Sequence, residues 1–337
     1  MLEQVEKPAS VRRRDTAAAD APERRRARLL MAGGIAAFLA ISVVVFAIEG
    51  IALSRDWLFG WLLLGLLALS LSDVKRWLHG VIFDWLPLMA VLLFYDLSRP
   101  VSEFLGSPIH VYPQIHADEA LFGGTVPTVW LQHQLHNGPQ VHWYDYAAWG
   151  VYMTHFFTTL VVAGLLWRFA YPRFRRFRTL VLGLATLGFA TYVLFPAEPP
   201  WLASKWHHLA YSYGIIHDVF HDAGITSATA LFENHSGFYN QFGAVPSLHA
   251  AYPLLIMLFF WSSSRWWVRL GWLTYTLAMA FVLVYTSEHY VVDILLGWIY
   301  AVATFAAVSL AGRWWEQRRS ARAGPTQAAT AEPAALR

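Results

Sequence analysis

The stretch AVPSLHAAYPLL, residues 244–255, decides the fold of this chain, because a proline, a serine and a histidine begin an otherwise apolar run. A second stretch, TSEHYVVDILLGW at residues 286–298, has the same arrangement, with His289 and Asp293 near its start. Ionisable side chains are costly inside a lipid bilayer and are by default functional or paired there. What these residues do depends on where the two runs lie in a membrane.

The composition is that of an integral membrane protein. Of the 337 residues, 57% are hydrophobic and 14% are charged, and the mean hydropathy is +0.40. A soluble domain carries about 25% charged residues. The absence of cysteine excludes disulfides, thiolate chemistry and cysteine-ligated metals. The pI of 9.1 reflects membrane topology, as shown below, and no nucleic-acid partner is predicted.

Eight apolar runs approach the roughly 20 residues of a membrane-spanning helix, which predicts an all-α bundle of eight transmembrane helices within residues 29–312. The first run is too long for a signal-peptide core and lacks an A-x-A cleavage site. Residues 1–28 and 313–337 have too little apolar surface to fold and are predicted to be disordered tails. A re-entrant or surface helix is the alternative for 57–71. The runs are 29–52, 57–71, 80–96, 148–169, 179–195, 247–262, 270–286 and 289–312.

Lysine and arginine predict the orientation of these helices, because cytoplasmic segments carry an excess of both. With both termini in the cytoplasm, 22 of the 25 Lys and Arg residues lie on the inner side. The outer side holds Arg55, Arg99 and Lys205. The sequence therefore predicts a multi-pass protein of the cell membrane, with its active site facing the periplasm or exterior.

Two long outer loops, 97–147 and 196–246, are rich in histidine and aromatic residues. Structureless loops of this length are uncommon, so we expect short interfacial helices over the outer leaflet. Apart from their histidines these loops are acidic, so an anion would have to be bound by local groups. His217 and His221 are four residues apart in HDVFH and form a possible metal pair on a helix.

The polar residues of the two opening stretches converge on the outer leaflet, because the runs at 247–262 and 289–312 both enter the membrane from outside. Pro246 suits a first helical turn, and Ser247 and Ser287 suit a cap or first-turn position. Helix N-termini attract anions through free backbone N–H groups and the helix dipole. The predicted site is therefore suited to a phosphate group.

The side chains at these two termini supply the chemistry for phosphoryl transfer. His289 and Asp293 share a helix face, so the carboxylate can accept the imidazole N–H and orient the ring. His249 adds a second imidazole and Ser247 a hydroxyl. Arg99, just beyond the outer end of run 80–96, is a candidate bidentate phosphate ligand. No cofactor or metal is predicted.

At these residues the sequence resembles the type-2 phosphatidic acid phosphatase superfamily of membrane phosphatases and lipid phosphotransferases. PSLHA (246–250) resembles its second motif and HYVVDILLG (289–297) its third. The resemblance implies that His289 is a nucleophile forming a phosphohistidine and that Asp293 orients it. It also implies that His249 protonates the leaving oxygen and that Ser247 binds phosphate.

Two departures from the family pattern concern cations. Soluble and phosphatase members carry an arginine six residues before the nucleophilic histidine, where this chain has Leu283. Their first motif has a lysine seven residues before Arg-Pro, where this chain has Leu92 before Arg99-Pro100. In lacking these two cations, the chain resembles the branch of the family that contains inositol phosphorylceramide synthase and sphingomyelin synthase. The segment FPAEPPWLA (195–203) also resembles a segment of bacterial members of that branch.

The resemblance implies transfer of a phospho-headgroup, of the inositol-phosphate type, from a membrane lipid to a small polyol or lipid acceptor. The first alternative keeps the site but uses water as acceptor, giving a lipid or polyprenyl phosphate phosphatase. The second alternative is a metal-binding or transport protein that uses the outer histidines. The oligomeric state is not predicted.

Overall fold

The computed structural model describes residues 21–49, 55–136, 138, 140–225 and 240–323. These residues form helices joined by turns, and contain no strand beyond two isolated bridges, His110 to Ala197 and Ala197 to Gly243. A π-helical stretch, Val81–Trp85, joins α3 to α4. The helices are α1 Ala21–Glu49, α2 Arg55–Leu69, α3 Val74–Gly80, α4 Leu86–Leu105, α5 Tyr112–Leu121, α6 Pro127–Leu135, α7 Trp143–Phe169, α8 Tyr171–Leu194, α9 Pro200–Lys205, α10 Ile215–Asp222, α11 Leu248–Trp261, α12 Trp266–Tyr285 and α13 Val291–Ala323.

Five helices in the described residues are long and apolar enough to cross a membrane, within α1, α7, α8, α12 and α13. Two shorter apolar helices, Phe59–Leu69 and Leu248–Trp261, match further predicted runs. The run at 80–96 falls within α3, the π-helical stretch and α4. The chain is thus an all-helical, multi-pass membrane protein, and a count of eight spans remains a prediction.

The helices extend beyond the boundaries predicted from apolar content. Helix α1 begins at Ala21 and α13 ends at Ala323, because the polar residues next to the apolar runs include many Arg, Ala and Glu, which are good helix formers. The remainder of the predicted tails, 1–20 and 324–337, lies outside the described residues. Within the described residues, each predicted outer loop contains two short helices, α5 and α6 in the first and α9 and α10 in the second.

Helix α8 lies at the centre of the largest apolar core, where Phe174, Phe177, Leu180 and Leu184 have no exposed surface. It packs against α4, α7, α11 and α13. Asp84 is buried against this core, and its carboxylate accepts hydrogen bonds from the side chains of Trp167, Tyr171 and Arg178. This acid is therefore paired, as a buried carboxylate requires.

Candidate active site

The start of α11 is held by Ser247, which is its N-cap. The backbone of Ser247 is extended, and its Oγ accepts the Ala250 N–H at 3.3 Å. Its own N–H donates to the backbone carbonyl of Asp293 at 2.9 Å. The predicted cap position is confirmed for Ser247, whereas Pro246 precedes the cap instead of entering the first turn. The contact with Asp293 brings the two sequence motifs together.

The second predicted cap, Ser287, does not cap α13. It has φ +68° in the turn after α12, and its hydroxyl lies 2.8 Å from that of Ser212. The N-terminus of α13 is capped by carboxylates instead. Asp293 Oδ2 accepts the Tyr290 N–H at 3.0 Å, so an acidic side chain faces the positive end of the helix dipole.

His289 lies in the turn before α13 and contacts both predicted partners. Its Nδ1 is 3.4 Å from Asp293 Oδ2, and its Nε2 is 3.3 Å from His249 Nδ1. The side chains of His289 and Asp293 are buried. The imidazole of His289 is thus placed between a carboxylate on one side and a second imidazole on the other, which is the arrangement expected of an oriented nucleophile.

Helices α11 and α13 approach closely enough here to require a glycine. A Cβ added to Gly297 would lie 2.3 Å from the backbone oxygen of Ser247, far inside van der Waals contact. This close approach sets the spacing between the motif that carries His249 and the motif that carries His289.

We expect Gly297→Ala to force these two helices apart. Overpacking of this kind costs about 1–3 kcal/mol of stability, and a misplacement of about 1 Å at reacting groups can lower a rate about 10²-fold. Gly271→Ala on α12 is the matched control, because nothing lies within 4 Å of its added Cβ. Thermal unfolding in detergent and turnover should both fall for Gly297→Ala only. If Gly297→Ala and Gly271→Ala had the same stability and turnover, the close approach of α11 and α13 would not set the geometry of the site.

Asp118, on α5, caps α13 from another part of the chain. Its two carboxylate oxygens accept the backbone N–H groups of Val291 and Val292 at 3.0 and 2.9 Å. Burial raises the pKa of Asp118 to about 6, against the lowering effect of the two amide donors. The sequence alone did not indicate this residue, because nothing in it pairs α5 with α13. Asp118 thereby fixes the end of the turn that carries His289.

Three further side chains surround the histidine pair and were not predicted. The ring of His249 stacks on Tyr152 at a centroid distance of 5.2 Å and contacts the tilted ring of His155 at 4.0 Å, both from α7. Tyr152 hydrogen-bonds Glu288. His155 is the eighth residue of the predicted run 148–169, which also enters the membrane from the outer side. This position in the sequence could have identified it as a site residue.

Glu288 does not add a negative charge to this site at neutral pH. Burial raises its pKa to about 8, and the hydrogen bond with Tyr152 opposes this rise only in part. The carboxyl group is therefore largely protonated at pH 7. A neutral Glu288 does not repel an anionic phosphate that approaches the adjacent His289.

Arg99 lies away from the histidines in the contacts that the structure describes. Its Nε donates to Glu103 at 2.9 Å, and its guanidinium lies 5.8 Å from the centre of the Phe242 ring. Phe242 precedes Ser247 by five residues, so Arg99 is near the segment leading into the site. A role for Arg99 in phosphate binding remains a prediction.

Of the other predicted ligand pair on α10, His221 is exposed, whereas His217 is half-buried and its ring lies edge-on to Trp201. The opposite face of this helix is buried through Ile215, Ile216, Val219 and Phe220. Among the described residues, neither histidine belongs to a group of three or more side chains able to hold a metal ion. The amphipathic pattern accounts for their position.

Comparison with known proteins identifies several relatives of this chain. The chain is 27% identical to a phosphoinositol dihydroceramide synthase of Bacteroides thetaiotaomicron over 63% of this chain and 71% of that protein. It is 27% identical to the inositol phosphorylceramide synthase catalytic subunit of Schizosaccharomyces pombe, over 67% of this chain and 51% of the relative. For an inositol phosphorylceramide synthase of Candida albicans the identity is 29%, over 48% of this chain and 35% of the relative.

The chain therefore spans about half or less of the two fungal proteins. No solved structure shows a significant match. A family model described as the PAP2 superfamily matches residues 114–307, more than half of the chain and the whole of both motifs. This chain belongs to the PAP2 superfamily.

Proposed function

We propose that this protein transfers the phospho-headgroup of a membrane lipid to a hydroxyl acceptor through a phosphohistidine formed on His289. The observation that carries the proposal is the placement of His289 Nε2, which lies 3.3 Å from His249 Nδ1 while its Nδ1 faces Asp293. A phosphoryl group entering between the two rings would meet a nucleophile on one side and a proton donor on the other.

In the first step, His289 Nε2 attacks the phosphorus atom and the bond from phosphorus to the lipid oxygen breaks. His249 gives its proton to that oxygen, which leaves as an alcohol. Asp293 accepts the Nδ1–H of His289 and stabilises the positive charge that develops on the ring. In this proposal the hydroxyl of Ser247 and the free backbone N–H groups in the first turn of α11 bind the non-bridging oxygens.

In the second step, the hydroxyl of the acceptor attacks the phosphorus atom and passes its proton to His249. The bond from phosphorus to nitrogen breaks, and His289 returns to its neutral form. Water in place of the acceptor would give hydrolysis by the same route. The identity of the acceptor thus decides between a transferase and a phosphatase.

The low number of cations around the histidines favours a phosphodiester as the donor. A phosphomonoester brings close to two negative charges at neutral pH and a diester brings one, so a diester needs fewer cationic partners. Leu92 and Leu283 stand where phosphatase relatives are expected to carry cations, and Arg99 is paired with Glu103. Transfer of a headgroup phosphate from a phospholipid fits this charge balance.

The names of the relatives support the same conclusion. They are synthases of phosphoinositol dihydroceramide and inositol phosphorylceramide, so an inositol phosphate headgroup and a lipid acceptor with a free hydroxyl are the first substrates to test. Because this chain spans only part of the fungal proteins, their complete activities are not carried over to it.

The decisive experiment identifies the products formed by purified protein. Phosphatidylinositol labelled in its headgroup would be supplied in mixed micelles, with and without a ceramide-type acceptor. We expect labelled headgroup on the acceptor lipid and little release to water. Release of free headgroup phosphate at the same rate with and without acceptor would support the phosphatase alternative.

We propose that the site faces the exterior, supported by the distribution of 22 of the 25 Lys and Arg residues on one side of the predicted topology. Cysteines introduced into this cysteine-free chain test the orientation. His133 on α6 and Ser263 after α11 are both exposed, whereas nearby His136 is buried and unsuitable. In intact cells an impermeant thiol reagent should label His133→Cys and not Ser263→Cys. The reverse pattern would place the site in the cytoplasm.

We also propose that the transfer step needs no divalent metal, because His289 supplies the nucleophile and His249 the proton. Among the described residues, these histidines belong to no group of three metal-ligating side chains. Chelator-treated protein, assayed well below its unfolding temperature, should keep its rate per folded molecule. A rate that only added Mg²⁺ or Zn²⁺ restores under those conditions would contradict this.

A further inference from the structure

A second cluster of ionisable side chains lies outside the histidine pair, where α6 ends and α7 begins. It consists of His136, His142 and Asp145 and is called the outer triad here. One ligand atom from each of the three residues can be chosen so that all lie within 4.8 Å of one another. The spacing H-x5-H-x2-D places all three in a single short segment. The proposed transfer reaction does not use any of them.

Two of the three distances within the outer triad match the spacing of ligand atoms around a small metal ion. Asp145 Oδ2 lies 3.2 Å from His136 Nδ1 and 3.4 Å from His142 Nδ1. Zinc binds histidine nitrogen and carboxylate oxygen at about 2.0–2.2 Å in a tetrahedral arrangement, which separates neighbouring ligand atoms by about 3.3 Å. Both measured separations agree with that value.

Hydrogen bonding does not account for the orientation of the His136 imidazole. Neither of its ring nitrogens has a hydrogen-bond partner among the described residues, whereas the His142 side chain accepts the backbone N–H of Asp145 in a capping box at the start of α7. The side chains of His136 and Asp145 have no exposed surface, while that of His142 is 37% exposed. Buried polar atoms without a partner are costly, so a ligand bound to a His136 nitrogen explains the arrangement.

The charge around the outer triad also favours a cation. Asp145 is fully buried, and the carboxylate of Asp218 on α10 is close enough to interact electrostatically with Asp145 and His136. Among the described contacts, no Lys or Arg pairs with either acid. The remaining oxygen of Asp145 accepts a hydrogen bond from the hydroxyl of Tyr285, which orients the carboxylate as outer partners of metal ligands do.

We propose that His136, His142 and Asp145 bind a divalent metal ion of the zinc class. Two imidazoles and one carboxylate are a donor set that zinc accepts, with a fourth position left for water or a further ligand. The ion would link the end of α6 to the start of α7. Through Tyr285 it would also stabilise the end of α12, just before the turn that carries His289. Its role is structural and separate from the transfer step.

The test uses full-length protein in detergent, without a polyhistidine tag, stripped with chelator and then dialysed against micromolar Zn²⁺ or Co²⁺. We expect about one bound ion per chain by mass spectrometry and the visible absorption of tetrahedral cobalt. The unfolding temperature should fall after stripping and return with Zn²⁺. Both signals should be lost in His136→Ala and His142→Ala.

His133→Ala is the matched control, since His133 is exposed on α6 and outside the triad. His142→Ala, whose side chain is partly exposed, keeps the test valid if His136→Ala fails to fold. Equal metal content in wild type and His142→Ala would overturn the proposal, as would wild-type protein that binds no ion at micromolar concentration. Neither result bears on the phosphohistidine, which is measured by labelling.

Discussion

His289→Ala should abolish the phosphoenzyme and reduce turnover to background. In the proposed reaction no other described side chain is placed to accept the phosphorus atom, since His249 approaches it as proton donor. Loss of the nucleophile in another enzyme with covalent catalysis lowers kcat by roughly 10⁶-fold. The measurement is incorporation of labelled headgroup phosphate into the protein, which should be stable in base and labile in acid.

The control for this result is His133→Ala, which removes an exposed histidine from the same outer side of the predicted topology. It should retain wild-type labelling and turnover, and the unfolding temperature of both variants should show that they are folded. Labelling that persists in His289→Ala but disappears in His249→Ala would reverse the two roles. Labelling of neither residue in wild type would remove the basis for a phosphohistidine.

His249→Ala should lose activity to an extent that depends on the leaving group. A lipid alkoxide needs a proton as its bond to phosphorus breaks, and general acid–base catalysis contributes about 10²–10⁴-fold. A nitrophenolate leaves without that proton, so activity toward a nitrophenyl phosphodiester should fall much less. The variant should still form the covalent intermediate on His289.

Asp293→Asn provides the contrast for this second prediction. The amide would keep the size of the side chain but no longer stabilise the imidazolium form of His289, so it should slow labelling for both leaving groups. An equal loss in His249→Ala with alkoxide and nitrophenolate donors would contradict its role as general acid. Comparing the two variants thus separates protonation of the leaving group from orientation of the nucleophile.

Much of the candidate site was predictable because its key residues occur in two short motifs. The spacing of His289 and Asp293 implied their contact, and Ser247 preceded an apolar run in the position of a helix cap. The resemblance to the PAP2 superfamily, carried by these same motifs, is confirmed by the family match over residues 114–307. The apolar runs likewise predicted helices, because the length and the composition of a segment are enough to predict a membrane-spanning helix.

Contacts between distant segments were decided by the tertiary structure alone. Asp118 caps α13 across 173 residues of sequence, His155 reaches His249 from α7, and Gly297 lets α13 meet Ser247. None of these follows from local periodicity, because each depends on which helix faces are brought together when the bundle packs. The outer triad lies within one short segment, yet its side chains meet only in the folded chain, where His136 at the C-terminal cap of α6 lies next to Asp145 in the first turn of α7. The sequence by itself determined which reactive side chains are available. The tertiary structure decided which of them lie together, because side chains interact only over a few ångströms, whereas residues that meet in the site can be more than a hundred positions apart in the chain.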